Sequence, residues 1–267
     1  MNRRTAGVII GMLTVVCLGL VFSIVYPPST TELDYRDPFT SPETSEYELS
    51  GEIVVDGELL VELEATVTAN GSRYRSIGSD EDLTESYQES PGEDKYIRMK
   101  VRDGSVDQRI EQIENDDDRK LIREDRADEE VILVILENTT EDQADNIITN
   151  IELFTNVLQS TKYRQVDETA ENRVYEPQDG WFGGRRFRPY RITDSAGQVI
   201  VDKDSYEVKS ANVSWDRTSD TETYAQYLIN RVIADETETI DLRFESDTDV
   251  AETEVPQWVE NAQEEAK

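Results

Sequence analysis

The feature that most constrains this chain is an uncharged run of twenty residues, 7–26, which lies directly behind Arg3 and Arg4. As a helix, such a run extends about 30 Å, the thickness of the hydrocarbon core of a bilayer. No small-residue cleavage site follows the run, and two prolines end it. The sequence therefore predicts an uncleaved transmembrane anchor. Because basic residues stay on the cytoplasmic side, we expect a single-pass protein of the cell membrane, with residues 1–6 in the cytoplasm and an extracytoplasmic C-terminal domain.

The chain behind this run is strongly acidic. The whole sequence carries 59 Asp and Glu residues against 27 Lys and Arg residues, a net charge of −32. Such a domain repels itself at ordinary ionic strength, whereas at molar salt the Debye length falls to about 3 Å and the repulsion is screened. In composition the chain resembles proteins of salt-accumulating archaea, so we expect a halophilic, archaeal cell-surface protein. Nucleic acid is disfavoured as a partner, because its phosphates would meet charge of the same sign.

Composition divides the rest of the chain into three parts. Residues 27–48 hold four prolines among Ser, Thr and acidic residues, which predicts a disordered stalk. Residues 49–245 are long enough for one sizeable core and are predicted as the folded domain. Residues 246–267 are rich in acids and are predicted as an acidic C-terminal tail that includes a short helix.

Turn signals between apolar stretches predict an antiparallel sheet. Asp56-Gly57 and Asn70-Gly71 each separate two strand-like stretches, and both dipeptides favour the tight turns of hairpins. Further turns between strands are predicted at Asp103-Gly104 and at Ala196-Gly197. The run Val131–Leu136 is apolar throughout, which is typical of a central strand with both faces buried.

Two stretches have the periodicity of amphipathic helices. The first covers residues 140–159, and the second is predicted to be capped by Asp220. Their apolar stripes comprise Ile147, Ile151, Phe154 and Leu158 in the first helix, and Tyr224, Leu228 and Val232 in the second. The predicted fold class is α+β: antiparallel sheet or sheets with two amphipathic helices packed on one face, preceded by one N-terminal transmembrane helix. A diverged duplication of the two strand-and-helix halves is an alternative origin.

The residues of most catalytic and metal sites are missing. The sequence has no histidine, and its single cysteine, Cys17, lies in the apolar run. This excludes Ser-His-Asp triads, Cys-His pairs and the usual zinc and iron sites. The acidic clusters Asp116–Asp118 and Asp202 with Asp204 lack the spacing of an EF-hand and are interpreted as solvated surface rather than calcium ligands. We therefore predict no enzyme, no cofactor and no metal site.

One segment, residues 179–191, combines arginine with aromatic residues in an otherwise acidic chain. Its predicted binding residues are Trp181, Phe182, Arg185, Arg186, Phe187, Arg188, Tyr190 and Arg191. Arginine binds carboxylate or phosphate through paired hydrogen bonds and stacks on aromatic rings. The segment therefore predicts binding of an anionic glycan, a lipid headgroup or an acidic protein. The alternative is a hairpin whose arginines pair with the domain's own acids and whose aromatic rings cover one end of the core.

Three Asn-X-Ser/Thr sequons, at Asn70, Asn138 and Asn212, are candidate glycosylation sites in an extracytoplasmic domain. Asn70 falls in a predicted tight turn and Asn138 precedes the first predicted helix. We therefore expect both of these side chains to be exposed.

These expectations favour a non-enzymatic binding or scaffolding domain of a cell envelope, held in the membrane by residues 7–26. A scaffold predicts a filled core and an exposed patch of aromatic residues and arginines. A lipid or lipoprotein carrier is an alternative by analogy of architecture alone, and it predicts an apolar groove between helix 140–159 and the sheet. A carboxylate-dependent hydrolase, the third possibility, predicts two inward-facing carboxylates in a cleft.

Overall fold

Every strand in the described part of the chain belongs to one continuous β-sheet. The structure, a computed structural model, describes residues 30–32, 39–40, 46–79, 82–127, 130–139, 147–184, 187–248, 250 and 253–266. The strands are β1 (Thr31–Glu32), β2 (Tyr47–Val55), β3 (Glu58–Val67), β4 (Arg73–Gly78), β5 (Leu83–Gln88), β6 (Lys95–Arg102), β7 (Arg119–Ala127), β8 (Glu130–Glu137), β9 (Lys162–Glu168), β10 (Asn172–Gln178), β11 (Gly180–Gly184), β12 (Phe187–Asp202), β13 (Val208–Thr218) and β14 (Thr237–Asp247). Their order is β1-β11-β12-β13-β14-β2-β3-β4-β5-β6-β8-β7, and β10 pairs with the second half of β12 and with β9. Apart from the parallel pair β1 and β11, these strand pairings are antiparallel.

The helices are few and short. In the described residues they are α1 (Val106–Glu114), α2 (Ile147–Leu158), α3 (Tyr224–Val232) and α4 (Gln257–Glu265), with a 3₁₀ turn at Asp103–Ser105 before α1. The predicted α+β class, with two helices packed on one face, is therefore wrong: the fold is mostly antiparallel β-sheet with four short helices. The prediction failed because several strands, such as β7, consist mainly of charged residues and have no apolar alternation to reveal them.

The hairpin between β2 and β3 confirms the first predicted turn. Asp56 and Gly57 both have positive φ angles, 54° and 82°, which is the backbone of the primed turns that fit strand twist. Asn70-Gly71 likewise joins β3 to β4. The turn predicted at Asp103-Gly104 leads into α1 instead of a second strand. At Ala196-Gly197 the chain does not turn back, because both residues lie inside the 16-residue strand β12, beside a bulge in its pairing with β13.

The apolar run predicted as a central strand is β8, which lies between β6 and β7. Its alternating side chains enter two different clusters. On one face, Leu133 and its neighbours pack with Val106 and Ile113 of α1. On the other face, Val134 packs with Trp258 and its neighbours in α4. The prediction of a strand buried on both faces is therefore confirmed.

The largest core cluster lies at the other end of the sheet, under α2. Phe154 and Leu158 of α2 are buried there, and the Phe154 and Phe244 ring centroids are 5.7 Å apart. The helix therefore packs on the sheet as predicted. A Cβ atom at Gly51 in β2 would lie only 2.6 Å from the Phe154 ring, so helix and sheet are in close contact at this point. The predicted helical residues 140–146 lie outside the described residues.

Parts of the predicted stalk and tail contribute to the fold. Thr31 and Glu32 form β1 and pair with β11, and Phe39 is buried with its ring edge-on to Tyr163 and Tyr175. These residues contact the domain, whereas a disordered stalk would extend away from it. In the segment 246–267, the buried residues of α4 are Trp258, Val259 and Ala262. Removing these apolar side chains from water stabilises their contact with the sheet.

None of the helices in the described residues is both long and apolar enough to cross a membrane. The apolar run 7–26, on which the predicted anchor depends, lies outside the described residues. The structure therefore gives no support to the predicted localisation as a single-pass membrane protein with a cytoplasmic N-terminus and an extracytoplasmic domain. That prediction is not retained.

Replacing Gly197 by alanine should destabilise the fold more than the same change at Gly57. Both glycines have positive φ angles, 93° and 82°, so each alanine costs about 1–2 kcal/mol in backbone conformation. At Gly57 the added Cβ meets nothing within 4 Å, but at Gly197 it would lie 2.0 Å from the carbonyl oxygen of Asn212. Urea unfolding should show a total loss of at least about 3 kcal/mol for Gly197→Ala. Equal losses for the two variants would contradict the close approach of β12 to β13.

Candidate binding surface

The predicted aromatic and arginine segment folds as the hairpin of β11 and β12. In its register, Trp181 lies opposite Arg191, and Phe182 lies opposite Tyr190. Because side chains alternate across a sheet, these two pairs lie on opposite faces. Phe182 is buried in the large core cluster, and Tyr190 packs against that cluster and donates a hydrogen bond from its hydroxyl to the Ser160 carbonyl at 2.6 Å. This pair is structural, as the alternative interpretation of the segment predicts.

The other face of the hairpin carries an aromatic cluster. The Trp181 ring centroid lies 5.3 Å from that of Tyr227 and 6.3 Å from that of Tyr224, both in α3. The Arg191 guanidinium lies 5.5 Å from the Trp181 ring centroid, in the geometry of a cation–π contact. Trp181 is thus held between its own hairpin and α3.

The described arginines near this cluster are engaged within the domain. Arg188 donates to Asp220 at 3.2 Å, and both side chains are largely exposed. Arg231 of α3 donates to Tyr227 Oη at 2.6 Å and pairs with Asp194 at 3.1 Å. Hydrogen bonding to Tyr227 and to Asp194 raises the pKa of Arg231. The charges of both arginines are therefore partly neutralised before any ligand binds.

The structure separates the eight predicted binding residues. Of these, Trp181 and Arg191 join the aromatic cluster, Arg188 is exposed and paired, and Phe182 and Tyr190 pack in or against the core. Arg185 and Arg186 lie outside the described residues, and for Phe187 only its backbone position in β12 is described. Binding of an anionic glycan, lipid headgroup or acidic protein by this segment stays a prediction.

Helix α3 exposes the apolar stripe that its sequence predicts to lie in the core. Its N-terminus is capped by Thr223 in a reciprocal capping box with Gln226, and not by Asp220. Tyr227 is buried, whereas the predicted core stripe points away from the sheet. The exposed fractions are 41% for Tyr224, 38% for Leu228, 50% for Ile229, 73% for Val232 and 77% for Ile233. Four of these residues lie in α3 and Ile233 is its C-cap residue, and together the five are called the α3 face below.

The α3 face could have been suspected from the sequence. Ile229 and Ile233 lie next to Leu228 and Val232, so the apolar arc of the helix is wider than one core-facing stripe needs. Tyr227 provides an alternative side for packing, because a tyrosine has an apolar ring with one polar end. The sequence offered no signal that Trp181, more than forty residues earlier, would pack against this tyrosine.

The described acids do not assemble a metal site. No group of three or more His, Cys, Asp or Glu residues that could hold a metal ion occurs in the described part of the chain. The Asp202 carboxylate accepts hydrogen bonds from the backbone N–H groups of Asp204 and Ser205, at 2.9 and 3.0 Å, and pairs with Lys209 at 3.2 Å. These contacts stabilise the turn between β12 and β13.

An open cleft of about 340 Å³ lies on the polar face of the sheet. The charged and amide side chains at its walls are Glu52, Glu62, Glu64, Asn212, Arg243 and Glu245. Arg243 donates to Glu52 at 2.7 Å, and Glu62, Glu64 and Glu245 are exposed to water. A carboxylate pair for hydrolysis needs one member shielded from water; of these glutamates only Glu52 is partly buried, and it pairs with Arg243.

The three sequon asparagines are all exposed. Asn70 is engaged in its own turn, where its side-chain oxygen accepts hydrogen bonds from Thr68 and from the Ser72 N–H. Asn138 follows β8, and Asn212 lies in β13 at the wall of the polar cleft. Glycosylation at these positions stays a prediction.

No protein-family model, no curated protein and no solved structure matches this chain. The predicted halophilic and archaeal source rests on composition alone. The fold does not support this prediction, and there is no matching protein to support it. It is therefore not retained.

Asp202 should stabilise the fold at neutral pH and not in acid. The N–H groups of Ser205 and Asp204 hold the pKa of the Asp202 carboxyl below its usual range. A lowered pKa in the folded state contributes stability above the unfolded pKa of about 3.9, and this contribution is lost as the pH falls through the folded pKa. Asp202→Asn should therefore lower the urea midpoint at pH 7, and the difference from the unaltered protein should shrink below about pH 4.

The matched control is Asp204→Asn, two residues away, since the Asp204 carboxylate has no side-chain partner within the described residues. This variant should unfold like the unaltered protein at every pH. A loss in Asp202→Asn that is the same at pH 7 and in acid would show that the carboxylate charge is not its cause.

Proposed function

We propose that this chain is a non-enzymatic binding domain and that the α3 face is its binding surface. The observation that supports this most is the exposure of five large apolar side chains on one short helix and its C-cap residue, from 38% to 77%. Folded proteins rarely leave a contiguous apolar patch of this kind in water unless it binds something. Each of these side chains keeps at least 38% of its surface open to water within the described residues.

The way in which α3 is attached supports the same proposal. The buried residue Thr221, just before the helix, donates from its N–H to the Pro189 carbonyl at 2.9 Å, and Tyr227 packs edge-on against Trp181. Arg231 links the end of the helix to Asp194. A helix fixed on one side by such contacts presents its other side in one arrangement, which lowers the entropy cost of binding.

The residues that border the α3 face are of the kind that contributes most to binding. Trp181 and Tyr224 form part of the aromatic cluster, and Arg191 lies on Trp181. Tryptophan, tyrosine and arginine are enriched among the residues that dominate interface energies. Two residues of the predicted binding segment, Trp181 and Arg191, thus contribute to this proposal through their place beside α3.

The two alternative functions gain less support. A carrier needs open apolar space between α2 and the sheet, whereas Phe154 is in close contact with Gly51 there. A hydrolase needs a carboxylate pair with one member shielded from water, whereas three of the four glutamates of the polar cleft are exposed and the fourth, Glu52, pairs with Arg243.

Charge placed on the α3 face should abolish partner capture without unfolding the domain. In a cross-linking pull-down from a cell extract, Val232→Asp combined with Ile233→Asp should lose the proteins that the unaltered chain enriches. The control is Leu60→Asp, which changes another exposed apolar side chain, 58% exposed, in strand β3 instead of α3. All the variants should keep their unfolding free energy within about 0.5 kcal/mol, because exposed substitutions rarely exceed this. The proposal is contradicted if both variants enrich the same proteins, or if the unaltered chain enriches none.

A further inference from the structure

We propose that the α3 face binds a basic amphipathic helix, with an apolar stripe between lysine or arginine side chains. This inference rests on the proposed function, because it assigns a partner to the same surface. Three features support it. They are the acids at the two ends of the helix, the arrangement of its apolar side chains, and the net charge of the whole chain.

At both ends of α3 lie exposed acids that have no ion-pair partner among the described residues. Glu222 precedes the helix, and Asp235 and Glu236 follow it, and all three are exposed. None of them forms an ion pair with another described residue. The basic residue of α3, Arg231, already pairs with Asp194. The α3 face therefore has an apolar centre and a negative charge at each end.

The spacing of these charges suits a helical partner. The nine helical residues extend about 14 Å, or two and a half turns, and the acids flank this length at both ends. A partner helix with basic residues at that separation would reach both ends while its apolar residues fill the middle. Each ion pair at the edge contributes little alone, and its main effects are orientation and choice of partner.

The apolar side chains of α3 form rows of the kind that helices pack into. Leu228 and Val232 make one row with a spacing of four residues, and Ile229 and Ile233 make the adjacent row. Parallel rows with this spacing form ridges and a groove, and the ridge of a second helix fits such a groove. A helix is therefore a better partner for this surface than an extended strand.

The charge of the whole chain favours a basic partner over an acidic one. At a net charge of −32, the chain attracts a basic segment at long range and repels an acidic one. Of the described arginines near α3, Arg188 and Arg231 pair with acids of the domain, and Arg191 lies over the Trp181 ring. The structure thus favours a partner of opposite sign to the one predicted from the arginine segment.

The test is isothermal titration calorimetry of the full chain with a synthetic leucine–lysine peptide of about 18 residues, five helical turns, arranged with helical periodicity. The control peptides are a leucine–glutamate version and one with the same leucines and lysines in strict alternation. We expect the helical lysine peptide to bind at least about tenfold more tightly than either control. Equal binding of the glutamate peptide or of the alternating peptide would overturn the assigned partner.

Two matched sets of variants separate the surface from the overall charge. Neutralising the α3 acids with Glu222→Gln, Asp235→Asn and Glu236→Gln should weaken binding about threefold to tenfold, because each pair at the edge contributes little alone. Neutralising three exposed acids of β3 with Glu58→Gln, Glu62→Gln and Glu64→Gln gives the same net charge and should change it little. Equal weakening by both sets would show that net charge alone attracts the peptide and would overturn the inference.

The apolar variant Val232→Ser with Ile233→Ser keeps every charge and should also weaken binding at least about tenfold, because the peptide loses the side chains it buries. If this variant weakens binding and the α3 acid variants do not, the proposed function stands and the basic partner falls. If it changes nothing, the α3 face is not the site and both proposals fall.

A photoreactive residue on the α3 face identifies what lies there. With Val232→benzoylphenylalanine in the full chain, irradiation in the presence of the lysine peptide should give a peptide adduct. A covalent dimer would show that a second copy occupies the surface, and a link to residues 7–26 would show that the chain's own apolar run does. Either of these two products in place of the adduct would overturn the inference.

Discussion

The antiparallel pairing of β14 with β2 is the contact on which the rest of the structure depends. It joins Thr237–Asp247 to Tyr47–Val55, segments almost two hundred residues apart, in a register that runs from Ile240 opposite Val55 to Asp247 opposite Glu48. Within the described residues it is the one strand pairing that connects β2–β8 to β9–β14. It also brings Leu242 and Phe244 beside the buried residues of β2, so the large core cluster depends on it.

The position of the α3 face depends on the same sheet, because α3 is inserted in the chain between the neighbouring strands β13 and β14. Thr218 and Thr237 are paired at the base of the insertion, and their side-chain hydroxyls lie 2.9 Å apart. The two ends of the insertion are thus held by the sheet, while Tyr227 fixes one side of the helix against Trp181. Long-range strand pairing, and not helix propensity, therefore places the apolar band at the surface.

The sequence predicts the features that depend on local pattern. The hairpin at Asp56-Gly57, the two-faced strand β8 and the packing of Phe154 in α2 follow from turn chemistry and periodicity. The orientation of α3 was predicted wrongly, because apolar residues lie on more than one side of it and the side that packs does so through contacts with distant residues, Tyr227 with Trp181 and Arg231 with Asp194. Strands such as β7 and β9, whose residues are mostly charged or polar, are defined by hydrogen bonds to distant partners. In the candidate surface, Trp181 and Arg191 were predicted, whereas Ile229 and Ile233 were not.

The central claim is that the α3 face is open to water in the full chain. Paramagnetic line broadening of side-chain methyl signals by a soluble nitroxide measures this directly, because the effect falls steeply with distance from the probe. We predict that the methyl groups of Val232 and Ile233 are broadened as strongly as those of Leu60, which is exposed in β3. Methyl signals of Val232 and Ile233 as protected as those of Leu133, which is fully buried in β8, would contradict the claim.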